Sequence, residues 1–125
     1  MLAIAGGGRH VLATTARAGG GAWLDLVHLD VRRRIARTAI EGRPSTGTTA
    51  LFARDGSELL AVGGDQGLQV VDATAARVLR TFAIGAVRSV RADTAAATLS
   101  VVVERAGGEA TVVIDRSTLE CVAGC

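Results

Sequence analysis

The sequence predicts an all-β fold built from three consecutive four-stranded antiparallel units. A strand pattern that ends in Asp recurs three times, and the apolar runs are short and rich in Val, Ile, Leu and Thr. Turn-forming segments such as Asp55-Gly56 and Gly63–Gly67 separate these runs and are expected to supply the positive φ angles of tight hairpins. A helix needs about ten or more residues between such breaks, so no helix is predicted.

The repeat is clearest at its three closing aspartates, which are 42 and 43 residues apart. They end the segments Leu26–Asp30, Leu68–Asp72 and Thr111–Asp115, and a second apolar run follows each of them. A carboxylate can accept N–H hydrogen bonds from the turn that follows it. We therefore interpret these aspartates as turn residues rather than catalytic carboxylates, because a repeated residue serves a repeated geometry.

Each unit supplies its four strands in the same order. The central unit has them at 49–53, 58–62, 68–72 and 78–84. The third unit has them at 87–92, 98–103, 111–115 and 119–122, and the looser first unit at 2–5, 10–15, 26–30 and 35–40. The units are expected to span residues 1–44, 45–86 and 87–125 and to form one domain.

Units of this length and strand number are typical of β-propeller blades. The stretch from Phe52 to Asp72 resembles a repeat of the WD-repeat and quinoprotein-like (YVTN-type) superfamily, with Asp-Gly before its second strand and a glycine-rich hairpin after it. The resemblance weakens over residues 87–125 and again over 1–44. Trp is replaced by Val71 before the closing Asp and the family's Gly-His pair is absent, so the similarity is to divergent, Trp-poor members. It implies three blades of a partial propeller, or half of a six-bladed ring made by two copies.

Composition narrows the function. A formal net charge of +2 and 2% aromatic residues provide neither the charge nor the stacking surface that nucleic-acid binding uses. No apolar run approaches the roughly 20 residues of a membrane helix, and the start lacks a signal-peptide pattern, so a cytoplasmic protein without membrane contact is expected. His10 and His28 have no catalytic partners at a recognisable spacing. Cys121 and Cys125 are too few for a metal site and are expected to be reduced thiols, with a terminal disulfide as the alternative.

The resemblance places partner binding at the hairpins between second and third strands and at the connections between units. These are Arg17–Gly21, Gly63–Gly67 and Arg105–Gly108, with the connections Glu41–Thr48 and Gly85-Ala86. The candidate partner-binding residues are Trp23, Arg43, Asp65, Gln66 and Arg105. Trp23 is either an aromatic anchor for a partner or a residue packed between blades, and the second is favoured. Arg43 either meets a partner's carboxylate or is a solvated loop charge, which is favoured.

These observations predict a non-catalytic propeller segment that acts as a scaffold for a protein partner, with no catalytic, cofactor or metal site. The alternative is part of a quinoprotein-like propeller enzyme, a dehydrogenase or hydrolase, whose active groups lie outside these residues. Propellers close with about four to eight blades, so three blades leave two sheet faces uncovered. Those faces are expected to be apolar, and to be covered by the remaining blades of a longer chain, which is favoured, or by a second copy in a homodimer.

Overall fold

Three antiparallel sheets follow one another along the chain in the computed structural model, which describes residues 3–5, 8–41, 46–73, 75, 77–93 and 95–125. Sheet 1 contains β1 (Ala3–Ala5), β2 (His10–Ala16), β3 (Ala22–His28) and β4 (Arg33–Ile40). Sheet 2 contains β5 (Thr49–Arg54), β6 (Ser57–Gly63), β7 (Leu68–Asp72) and β8 (Arg77–Phe82). Sheet 3 contains β9 (Ala86–Asp93), β10 (Thr98–Arg105), β11 (Gly108–Asp115) and β12 (Cys121–Ala123).

In every sheet each strand pairs with the next one in sequence. The described residues contain no α-helix, only a short 3-10 turn at Thr46–Thr48 before β5. The predicted all-β fold of three four-stranded antiparallel units is therefore confirmed. No helix in the described ranges is both long and apolar enough to cross a bilayer.

Sheet 2 is covered on both faces, which explains why the run Leu59–Val62 is apolar at every position and almost fully buried. On one face, Leu60 and Val71 pack with side chains of sheet 1 such as Leu24. On the other face, β6 and β7 pack against sheet 3. That second cluster includes Leu59, Leu68, Val70, Val101, Val112 and Ile114.

The closing aspartates of the second and third repeats cap the turns that follow them, as predicted. Asp115 Oδ1 accepts hydrogen bonds from Ser117 N at 2.7 Å and Thr118 N at 3.0 Å, and Asp72 Oδ1 accepts one from Ala75 N at 3.2 Å. The hydrogen bonds from Thr118 N and Ser117 N hold the pKa of Asp115 below its usual value. The Asp that recurs in the sequence therefore makes the same kind of turn in both repeats.

The glycines of the β6–β7 hairpin are needed for a different reason from the one expected. Asp55 and Gly56 do have positive φ angles of 49° and 80°, but Gly63, Gly64 and Gly67 do not, so that expectation is wrong for this hairpin. A Cβ on Gly67 would overlap the carbonyl oxygen of Phe82, and one on Gly63 would overlap the Val87 side chain. Glycine is required there because neighbouring strands approach closely.

One face of sheet 1 and one face of sheet 3 are not covered by any of the described residues, and both are mixed rather than apolar, which corrects the expectation. Leu24 and Leu26 of β3 point towards sheet 2, so the alternating residues Trp23 and Asp25 lie on the uncovered face of sheet 1. The uncovered face of sheet 3 carries Ser89, Arg91, Ser100, Val102 and Thr111 around a shallow groove of about 520 Å³. Polar side chains at these positions reduce the apolar area that each face presents.

Cys121 and Cys125 form a disulfide across Cα atoms 6.3 Å apart, and neither is free. The favoured expectation of two reduced thiols is therefore wrong. Cys121 belongs to β12, the short edge strand of sheet 3, which pairs only with β11 among the described strands. The disulfide ties the chain beyond this strand back to its start.

Candidate interaction site

A cleft of about 370 Å³ lies between the β2–β3 hairpin of sheet 1 and the β6–β7 hairpin of sheet 2. We call it the rim cleft. It is lined by Arg17, Gly19, Gly20, Gly21, Glu41, Asp65 and Gln66. It therefore brings together two of the three hairpins that the sequence selected and one of the connections between units.

The β2–β3 hairpin that forms one wall is held by three short-range hydrogen bonds. Arg17 N donates to Gly21 O at 3.2 Å, Gly20 N donates to Arg17 O at 3.1 Å, and Arg17 Nε donates to Gly20 O at 3.2 Å. Gly21 has a φ of 75°, and a Cβ there would lie 2.7 Å from Ile40 O. This wall is consequently a tight turn that packs closely on the end of β4.

The β6–β7 hairpin that forms the other wall is tied to the segment leading into sheet 3. Gly64 N donates to Gly67 O at 2.9 Å, while Gly64 O accepts from Val87 N at 2.9 Å and Gln66 O accepts from Gly85 N at 3.2 Å. The backbone of the hairpin is thereby anchored. The side chains of Asp65 and Gln66 remain exposed at its tip.

A buried amide links the two sheets beneath the cleft. Gln69 of β7 is only 9% exposed, and its Oε1 accepts a hydrogen bond from Glu41 N at 2.9 Å. Gln69, Gln66 and Glu41 also line a smaller cavity of about 50 Å³ next to the rim cleft. Sequence reasoning missed Gln69, although a single amide within the apolar run of β7 is a usable signal, because a buried polar group needs a partner.

Within the described residues, the acidic side chains of the rim cleft are free to bind a partner, whereas its basic side chain is already partly engaged. Glu41 and Asp65 are exposed carboxylates, for which the described residues provide no ion-pair partner. Arg17 is the basic residue of the lining, but its Nε is hydrogen-bonded to Gly20 O and its guanidinium stacks on the Trp23 ring at 5.4 Å. The free hydrogen-bonding capacity is therefore mostly acceptor capacity, which suits a basic side chain.

Trp23 lies beside the rim cleft, not inside it. The half-buried indole stacks between Arg17 and Arg37, whose guanidinium carbons are 5.4 Å and 5.1 Å from the ring centroid. In the described part of the chain it packs between these two arginines and not between two sheets. Arg17 therefore contacts Trp23 and also lines the rim cleft.

Asp25 and Arg37 form a bidentate ion pair next to this tryptophan. Arg37 Nε lies 2.6 Å from Asp25 Oδ1, and Nη2 lies 3.0 Å from Oδ2. Hydrogen bonding from Arg37 holds the pKa of Asp25 below its usual value against the opposing effect of burial, and the charges of Arg37 and Arg34 add to the lowering. Neither residue was selected from the sequence, because only the β3–β4 register brings them together.

The remaining candidates do not join the site. Arg105 Nε donates to Ile84 O at 3.1 Å and braces the entry to sheet 3 rather than the rim cleft. Arg43 lies outside the described residues. The two histidines, His10 and His28, pair across β2 and β3 at the opposite end from the hairpin, with ring centroids 5.1 Å apart. Asp65 and Gln66 are thus the predicted residues that the structure places in one cleft.

Comparison with known proteins supports the architecture. No protein-family model matches the chain, and no curated protein matches it significantly. Among solved structures the chain is similar to the dihydro-heme d1 dehydrogenase NirN in complex with DHE, a β-propeller protein, with a TM-score of 0.78 and 20% identity. The match covers 97% of this chain and 26% of that one, so the chain spans about a quarter of that protein's length. At this identity the likeness concerns the fold, and the three sheets form a partial propeller.

Proposed function

We propose that this chain is a propeller segment that binds a protein partner at the rim cleft and has no catalytic centre of its own. The observation that carries the proposal is the pair of exposed carboxylates, Glu41 and Asp65, held on anchored backbone at the mouth of one cleft. Anchored hairpins lose little conformational entropy when a partner binds. The recognised element is a loop or extended segment whose Lys or Arg side chain enters between the two carboxylates.

The proposal includes the kind of propeller. The Asp55-Gly56 turn before β6 and the turn capped by Asp72 match the positions on which the resemblance to WD-repeat and quinoprotein-like repeats rests. The chain is accordingly a divergent, Trp-poor relative of those repeats. In such propellers the hairpin rim is a partner-binding face, and this is the face on which the rim cleft opens.

A displayed library of short peptides, selected on the chain, tests the proposed function. We expect the selected sequences to share a Lys or Arg. Asp65→Asn and Glu41→Gln should each weaken the binding of the best peptide about twofold to fivefold, the range for one exposed charge contact. Glu120→Gln, which neutralises an exposed carboxylate in the turn before β12, is the matched control and should leave the affinity unchanged. Selected peptides without a basic residue, or equal binding by all variants, would contradict the proposal.

A second function is favoured by one specific observation, the dehydrogenase name of the solved structure that the chain resembles. The chain would then be part of a propeller enzyme, with the reacting groups on residues outside it. Absorbance titration of the chain with DHE distinguishes the two functions. A saturable spectral change at one equivalent favours the enzyme segment, whereas an unchanged spectrum together with peptide capture favours the scaffold.

A further inference from the structure

The two uncovered faces are opposite halves of the same kind of junction. Sheet 1 meets sheet 2 through its Leu24 and Leu26 face, and sheet 2 meets sheet 3 through the corresponding Leu68 and Val70 face. Sheets 1 and 2 each pack one face on the sheet that follows, and the same face of sheet 3 is free. Sheets 2 and 3 each pack the opposite face on the sheet that precedes, and that face of sheet 1 is free. The free face of sheet 3 could therefore pack on the free face of sheet 1 in the way that neighbouring sheets pack within the chain.

The free face of sheet 1 is basic. It carries Arg17 and Arg37 on either side of Trp23, and Arg34, whose Nη1 lies 4.0 Å from Asp25 Oδ1 and whose side chain is half exposed. Asp25 balances part of this charge through its bidentate pairing with Arg37. Arg34 meets Asp25 only at 4.0 Å, and Arg17, whose Nε is bonded to Gly20 O, can still donate from its Nη nitrogens. The Trp23 ring adds an apolar surface between the guanidinium groups.

The free face of sheet 3 carries two carboxylates at the end that bears the β10–β11 hairpin, with Arg91 nearer the middle of the face. Glu104 of β10 and Glu109 of β11 stand directly opposite each other beside the β10–β11 hairpin. Like charges in this position repel each other. Arg88 forms an ion pair with Glu104, while Glu109 has no ion-pair partner among the described residues. An external cation next to Glu109 would relieve the repulsion.

We propose that a second copy of this chain covers both faces. The free face of sheet 3 in one copy packs on the free face of sheet 1 in the other, so that Glu104 and Glu109 lie beside Arg17 at the hairpin end. Arg34, which pairs opposite Val27, lies further along the same junction. A twofold axis repeats the contact and closes six sheets into a ring, as head-to-tail contacts do when the rotation closes. Trp23 faces the shallow groove over Val102 in this arrangement and provides the apolar centre of the junction.

The first measurement is the mass of the chain in solution. Size-exclusion chromatography with light scattering should give twice the 12.7 kDa of one chain. The dimer dissociation constant should rise with salt concentration, because exposed charge pairs are screened. A monomer, or aggregates of no fixed mass, would overturn the proposal and assign the free faces to further sheets of a longer polypeptide.

Charge reversal identifies the surfaces. One variant carries Glu104→Arg with Glu109→Arg, and the other carries Arg17→Glu with Arg34→Glu. Alone, each brings like charges together at both junctions, and its dimer dissociation constant should rise at least tenfold. Mixed in equal amounts, the two variants restore opposite charges at both junctions, and a dimer of one copy of each should form.

Two controls separate this result from misfolding. Glu104→Gln with Glu109→Gln removes the repulsion within sheet 3 and should weaken the dimer less than reversal does, with the β-sheet circular dichroism spectrum retained. Glu120→Arg, a reversal on an exposed turn outside both faces, should leave the dimer intact. A dimer that is insensitive to the reversals, or a mixture that stays monomeric, would overturn the proposal, and neither outcome depends on the rim cleft binding a peptide.

Discussion

Asp25 shows how one residue departs from its repeat. In the register set by the closing aspartates it corresponds to Gly67 and Ala110, neither of which is charged. It is 8% exposed, and it is tolerated there because Arg37 forms both hydrogen bonds to its carboxylate while Arg34 lies nearby. A largely buried carboxylate needs such a partner. The desolvation of the Asp25 carboxylate is therefore offset by its hydrogen bonds to Arg37 on the neighbouring strand β4.

The lowered pKa of Asp25 predicts a dependence of stability on pH. Because its folded pKa is depressed, the ion pair stabilises the fold above the unfolded pKa of about 3.8. That contribution is lost as the pH falls through the folded value. Asp25→Asn should lower the free energy of unfolding at pH 7 by about 1–2 kcal/mol, as expected for hydrogen bonds between charged groups when one partner, Arg37, is partly exposed.

Urea denaturation between pH 7 and pH 3 measures this effect. The loss of stability below pH 4 should be smaller in Asp25→Asn than in the unmodified protein, but not absent. Asp115, whose pKa is also lowered, contributes in the same direction. Identical pH profiles for the two proteins would show that the Asp25–Arg37 pair does not stabilise the fold.

At the scale of the element, the β6–β7 and β10–β11 hairpins contain glycines with different tasks. Gly67 packs so closely on the β8 backbone that a Cβ would overlap Phe82 O. Gly107, in the hairpin of sheet 3, has open space at the Cβ position and no positive φ. The same residue type is therefore a packing requirement in one hairpin and replaceable in the other.

Alanine substitution tests this contrast. Gly67→Ala should cost about 1–3 kcal/mol because the backbone must move to admit the methyl group. Gly107→Ala, the matched control, should be neutral or slightly stabilising, because alanine restricts the unfolded chain. Thermal denaturation of both variants measures the difference. Equal effects would mean that the close approach of β7 and β8 is not what requires Gly67.

At the scale of the whole molecule, two apolar clusters meet at sheet 2 and do not merge. Leu24 belongs to the cluster between sheets 1 and 2, and Leu99 to the cluster between sheets 2 and 3. Both leucines are fully buried. Stacked repeats of this kind derive their stability from each unit and from the contacts between neighbouring units.

Two leucine truncations test whether the clusters act independently. Leu24→Ala and Leu99→Ala should each cost about 2–5 kcal/mol. In the double variant the two losses should add to within about 0.5 kcal/mol, as they do for distant sites. Hydrogen exchange should accelerate mainly in sheet 1 for the first variant and in sheet 3 for the second. A large deviation from additivity in urea denaturation would indicate one continuous core.

Several features of the structure were predictable because they depend on neighbours in sequence. Short apolar runs and turn residues identified the three four-stranded sheets, and the turns capped by Asp72 and Asp115 form as expected. The cysteines were misjudged because spacing alone does not tell whether Cys121 and Cys125 bond. The likeness to a solved propeller structure could not be found from the sequence, because only 20% of the aligned residues are identical.

The amino-acid order by itself determined the number of strands, their order within each sheet and the turns capped by Asp72 and Asp115, because hairpin geometry is a matter of a few adjacent residues. The bounds of β3 and β12 differ from the expected ranges 26–30 and 119–122. The packing of the three sheets on one another decided the remaining features. The rim cleft exists only because two hairpins some 45 residues apart lie side by side. The polarity of the two free faces, and the pairing of Asp25 with Arg37, depend on which side of each strand a neighbouring sheet covers, and strand periodicity alone does not specify that side.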